Sequence, residues 1–266
     1  MARHKMKYGV CRLCGNETNL SFEHVPPRLA FNKTTKYISV PFENYIKEKD
    51  PLNNIPKGKL MQGGVGYNSL CADCNSFLGR NYVSLYQDWV QAGYQMLKVG
   101  AFEYAKFELL PQRPLFLLKQ IISMFLSIND EWYLEEYPEL AEFVKNPSLK
   151  ELPDRYQIYT YLNNEGDIRY LKHSVAYSPE LGKPVNCSEI AFPPFGYVLT
   201  IGYGMQINKL TNITGFKSYS ENESVNLQLG IFKLPTYLPH PMDYRDKETI
   251  KKNIDEGRKI TQENKD

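Results

Sequence analysis

The sequence predicts an α+β protein: a small zinc-bound finger, then a helical segment, then a β-rich C-terminal part. Three observations predict it. Four of the five cysteines fall in two C-x2-C pairs within residues 1–82, a spacing that suits a metal-held unit. Apolar residues recur at helical intervals from Tyr82 onward, and after Pro153 short apolar runs alternate with turn residues in the manner of strands.

Taken in order, residues 1–82 are rich in Cys, Gly, Asn and Pro and poor in long periodic segments. Short strands and loops held by a metal, rather than by a large core, follow from that composition. Tyr82, Tyr86, Trp89, Val90, Gly93 and Leu97 would form one apolar face of a helix continuing the segment that begins near Cys74. Pro114 suits the first turn of a second helix over Leu115–Ile128, which is interrupted by Lys119 and Gln120 and is too short for the roughly 20 residues of a membrane span. The run Asp130–Val144 predicts a third helix, so that about 100–145 reads as helical throughout. Beyond it, Tyr156–Leu162 and Ile168–Leu171 flank Asn163–Asp167 as a hairpin with a five-residue loop. Ile190–Ile201, Met205–Leu210 and Val225–Phe232 add strand-like runs, and from about Asp246 a solvated helix frays into a tail. The predicted divisions are therefore 1–82, 83–150, 151–245 and 246–266, with no fixed-period repeat.

Composition excludes a disordered or fibrous chain: 266 residues are 42% hydrophobic and 13% aromatic, with a formal net charge of +2. The basic N-terminal stretch lacks the apolar core of a secretory signal, so a reducing, cytoplasmic setting is the expectation. Charge is unevenly placed. Residues 1–82 hold twelve Lys/Arg and six Asp/Glu, a net of +6, and the remainder is net −4. A basic N-terminal unit can hold a phosphate backbone locally, while the acidic remainder opposes strong unspecific binding.

Cys11-Arg-Leu-Cys14 and Cys71-Ala-Asp-Cys74 each aim two sulfurs of one turn at one point, and together complete a tetrahedral zinc sphere. A redox pair or four ordinary buried cysteines are the competing readings. Cys187 stands apart as a buried residue, and His173 and His240 lack ligand partners at useful spacing. Between the pairs lies Ser21-Phe22-Glu23-His24-Val25-Pro26-Pro27. Adjacent Glu and His on a strand leave opposite faces unless the backbone bends. Gly63-Gly64-Val65-Gly66 lacks the following Lys-Ser/Thr of a phosphate loop and reads as the entry to the next strand.

The order C-x2-C, Glu23-His24 followed by prolines, then Leu70-Cys71-x2-Cys74-Asn75 opening a helix, resembles the zinc-stabilised HNH endonucleases, also called ββα-metal or His-Me finger nucleases. The resemblance covers about residues 8–82. It implies a ββα-metal finger in which His24 is the general base, Glu23 and Asn75 hold a catalytic Mg2+ or Mn2+, and zinc at Cys11, Cys14, Cys71 and Cys74 is structural. The family's middle Asn stands about five residues before the third cysteine, where this chain has Gly66; Asn68 is the nearest candidate. The family's Lys after the last Asn is replaced by Gly79 and Arg80, and Arg80 is a candidate phosphate contact. Lys33, Lys36, Lys47, Lys49, Lys57 and Lys59 form either a backbone-contacting loop or a solvated face.

The implied function is a metal-dependent endonuclease that hydrolyses phosphodiester bonds, with DNA as the expected partner. A catalytically inactive, zinc-stabilised nucleic-acid-binding module is the alternative. Relatives of this type suggest a role in restriction, phage defence or a mobile element, with the C-terminal part selecting substrate or a partner protein.

Overall fold

A computed structural model describes residues 7–48, 50, 52–54, 56–178, 182–202 and 207–263. Strand β1 (Lys7–Val10) turns through Cys11 and Cys14 into β2 (Glu17–His24). The chain then makes an excursion through an irregular turn (Arg28–Asn32), β3 (Tyr37–Ser39), α1 (Phe42–Ile46) and β4 (Lys59–Met61), with β3 and β4 paired antiparallel. It returns as β5 (Gly66–Cys71), which pairs antiparallel with β2, so the sheet order is β1-β2-β5. A bulge at Ser69 shifts the register: Ser21 lies opposite Leu70, Phe22 opposite Asn68, Glu23 opposite Tyr67 and His24 opposite Gly66.

Helix α2 (Ala72–Leu78) starts where β5 ends and runs through a π-helical turn (Gly79–Val83) into α3 (Ser84–Leu97). The helical spacing predicted from Tyr82 onward is present: Tyr82, Tyr86, Trp89, Val90 and Gly93 are buried. The next expectation fails, because residues within about 100–145 include a strand, β6 (Tyr104–Gln112). Its partner is β12 (Val225–Phe232), more than a hundred residues away, so local periodicity carries no sign of the pairing. Helix α4 (Pro114–Ile128) matches its prediction, and every one of its residues is buried. The third predicted helix is two, α5 (Trp132–Glu136) and α6 (Pro138–Lys145). Pro138 separates them, since the residue before a proline is driven out of helical geometry.

The C-terminal strands form a five-stranded sheet in the order β11-β7-β10-β9-β8, from β7 (Tyr156–Leu162), β8 (Arg169–Ser178), β9 (Lys183–Phe192), β10 (Phe195–Ile201) and β11 (Thr211–Asn212). The predicted hairpin around Asn163–Asp167 is not formed. β7 pairs with β10 and β11, and the loop is stitched instead to Thr236, whose N–H donates to Glu165 O (2.9 Å) while Asp167 N–H donates to Thr236 O (2.8 Å). The run Ile190–Ile201 folds back at Pro193-Pro194 into β9 and β10, because neither proline can donate to a ladder. Of Met205–Leu210, Met205 and Gln206 lie outside the described residues, and Ile207–Leu210 is a turn into β11. The predicted solvated helix is α7 (Lys247–Glu263), exposed along most of its length; residues 264–266 are outside the described set.

One apolar core runs from Cys11 through α3 and α4 to Ile231. Trp89 stacks on Phe195 (centroids 4.7 Å) and its Nε1–H donates to Tyr197 Oη at 3.0 Å. Gly93 allows that approach: a Cβ there would stand 2.3 Å from the Phe195 ring. α4, apolar all round, is the central helix. Its one ammonium, Lys119, donates to the carbonyls of Phe143, Asn146 and Leu149 at 2.5–2.9 Å and so caps the end of α6.

Candidate metal centre and active site

The four cysteine sulfurs lie within 4.8 Å of one another. Cys14 and Cys71 sulfurs are 3.9 Å apart, far beyond a disulfide's ~2.05 Å and close to the ~3.8 Å edge of a tetrahedron with Zn–S bonds of ~2.3 Å. Local structure explains the convergence. Gly15 at φ +78° closes the first turn, its N–H donating to Cys11 O at 2.9 Å. Cys71 caps α2, accepting from Cys74 N–H at 3.4 Å, while Cys71 N–H donates to Cys11 Sγ at 3.3 Å. The hydrogen bond between Cys11 and Cys74 pulls Cys11 down to about 4 and pushes Cys74 up. Four sulfurs this close cannot all be thiolates without a cation among them, so the donor set fits a structural metal such as zinc.

Glu23 and His24 end β2. Glu23 shares a strand face with Ser21, by alternation, and Ser21 Oγ accepts from Asn75 Nδ2 at 3.1 Å. Glu23 and Asn75 are therefore on the same side of the sheet, beside the first turn of α2. The Glu23 carboxyl is 8% exposed and has no hydrogen-bond or ion-pair partner among the described residues. Burial pushes it up to about 8. Asn75 Oδ1 accepts no hydrogen bond among the described residues.

His24, the last residue of β2, has the Phe22 ring edge-on to it (centroids 4.9 Å). Its Nε2 lies 3.0 Å from Gly63 O. A carbonyl only accepts, so Nε2 carries the proton in that contact. Gly64, at φ +94°, permits the approach of chain behind the ring: a Cβ there would meet Asn32 O at 2.1 Å and His24 Cδ2 at 2.8 Å.

A residue that the sequence reading passed over holds this turn. Asn32 is fully buried; its Nδ2 donates to Pro26 O and Val65 O, and its Oδ1 accepts from Val65 N–H, all at 2.7 Å. It clamps the turn after His24 to the entry of β5. Its sequence neighbours, Phe31 and Lys33, give no pattern that would single it out. A second tie comes from the C-terminal sheet, where Tyr170 Oη–H donates to Val25 O at 2.5 Å.

Asn68 sits across from Phe22 and lines a cleft of about 610 Å³ between β5 and the end of α4, with Lys7, Arg12, Asn129, Asp130 and Lys172. Arg80 is exposed on the π-helical turn. Cys187 is buried, and His173 packs among Trp132, Tyr133 and Tyr137. No helix of the described residues is long and apolar enough to cross a membrane. Comparison of the chain with protein-family models, curated proteins and solved structures finds no match.

Proposed function

We propose that β2, β5 and α2 with the cysteine cluster form a ββα-metal finger, and that the protein is a metal-dependent endonuclease acting on phosphodiester bonds, with DNA as the favoured substrate. The observation that carries the reading is Glu23, a buried carboxyl with no counter-charge, on the strand face that Asn75 also borders.

Glu23 and Asn75 would hold a Mg2+ or Mn2+ ion, and the chemistry such an ion supplies is neutralisation of charge on the phosphate and leaving oxygen. The chain's own residues do the rest. His24, whose Nε2 donates to Gly63 O, would act as the general base toward water. Asn32 and Tyr170 hold the backbone that follows His24, which keeps the ring aimed. Arg80 and Asn68 would contact the nucleic-acid backbone, and zinc at the four sulfurs would keep β1, β5 and α2 in register without entering the chemistry.

His24→Ala should abolish nicking of plasmid DNA in Mg2+ or Mn2+ while zinc content and thermal unfolding stay as in the wild type. Retained cleavage by that variant would remove His24 from the reading. Plasmid bound but never nicked by the wild type would leave the alternative, a zinc-stabilised binding module.

A further inference from the structure

The turn that follows His24 exposes apolar surface of a kind a soluble protein usually hides. Phe31 is 46% exposed and Tyr94, on α3, 45%, and their rings lie in contact with centroids 5.5 Å apart. Phe31 adopts φ +64°, ψ 5°, a left-handed backbone that aromatic residues rarely take. That conformation is held in place by the buried side chain of Asn32 next to it. Leu29, 52% exposed, borders the same turn.

The charge around the rings has one sign. Residues 25–42 contain Arg28, Lys33 and Lys36 and no Asp or Glu, and Lys98 Nζ stands 4.5 Å over the Tyr94 ring. The backbone of the residue after Phe31 is close to His24, since Asn32 O and His24 Cδ2 both crowd the one point a Cβ on Gly64 would occupy. Exposed aromatic faces set among cations, beside a candidate phosphodiester site, match the chemistry of an unpaired nucleotide: a π-face to stack on the rings and a phosphate for the cations.

We propose that Phe31 and Tyr94 form a stacking platform for an unpaired base of single-stranded nucleic acid, held by Arg28, Lys33 and Lys98 so that its backbone passes His24. The proposal rests on the nuclease reading for what happens at His24, though not for binding. It assigns the site a preference for single-stranded segments, because bases stacked within a duplex cannot offer their faces to the rings.

The test is fluorescence anisotropy with a labelled single strand of about 15 nucleotides and the matching duplex, using the zinc-loaded full chain without added Mg2+ or Mn2+. Phe31→Asn keeps a residue that tolerates positive φ while removing the ring, and Tyr94→Ala removes the second ring from an exposed position. Each should weaken single-strand binding about tenfold and leave duplex binding unchanged, and Phe31→Trp should restore it. Equal losses for single strand and duplex, or no loss in either variant, would overturn the platform. Ring-dependent binding by a wild type that never cleaves would uphold the platform and defeat the nuclease reading. Cleavage of single strands that is indifferent to both rings would do the opposite.

Discussion

Glu23 sits buried near the end of β2. Its carboxyl is pushed up to about 8 by burial, against about 4.3 in an unfolded chain. A raised folded-state pKa contributes stability that is fully present below about pH 4.3 and is lost as pH rises through about 8, because the unfolded state ionises first. Urea unfolding of the protein without Mg2+ or Mn2+ should therefore show stability declining from pH 5 to 8 more steeply in the wild type than in Glu23→Gln. Added Mn2+ at pH 8 should stabilise the wild type and not the variant. Parallel pH curves for the two proteins would show that Glu23 is not held as described. Glu23, His24 and Asn75 were candidates from residue type and order alone. Asn32 was not, because its role consists of three backbone partners, two of them at Val65 across a 33-residue excursion.

At the scale of elements, the two cysteine turns were readable because ligand spacing is a local property of the chain. Each turn also ties an element: the first joins β1 to β2, and the second starts α2. Arg12, between Cys11 and Leu13, extends that tie by donating to Asn129 O at 3.2 Å and pairing with Glu131 at 3.0 Å. Stripping zinc with a chelator, or Cys74→Ser, should thus loosen β1, β5 and the start of α2 first. Hydrogen exchange should rise there before it rises in β9 and β10, and metal analysis of the wild type should give about one zinc per chain. Uniform protection after zinc removal would contradict a structural role for the metal. The long helices were legible for the same local reason. β6 and the partners of β7 were misread because strand pairing is settled by contacts from distant segments, whereas the split at Pro138 is a local effect of the proline itself.

Across the whole molecule, the parts meet through polar groups buried in apolar surroundings. Arg169 and Glu189 form an ion pair at 2.5 Å with both side chains almost wholly buried. Glu189 also accepts from Tyr161, Tyr244 and Met242 N–H, and Arg169 reaches the carbonyls of Leu238 and Asp243. The network fastens the 234–246 segment to the five-stranded sheet. Glu189→Gln leaves Arg169 buried without its counter-charge and should cost about 3–5 kcal/mol in urea unfolding, with zinc content unchanged. A loss below about 1 kcal/mol would mean that the pair is solvated or replaceable. Tyr170, next to Arg169 on β8, carries the sheet's influence to Val25 and so to the turn after His24.

By itself the sequence determined the cluster of four cysteines, the helical run from near Cys74 onward, the buried α4 and the solvated α7, and it singled out Glu23, His24 and Asn75 as candidates. Each of these is written in spacing or periodicity over a few turns of chain. The tertiary structure alone decided which strands pair, that Asn32 and Tyr170 support the backbone after His24, and that Phe31 and Tyr94 meet in the open. Those facts depend on segments brought together from 33 to more than a hundred residues apart, and burial and hydrogen-bond satisfaction across such distances leave no local mark in the sequence.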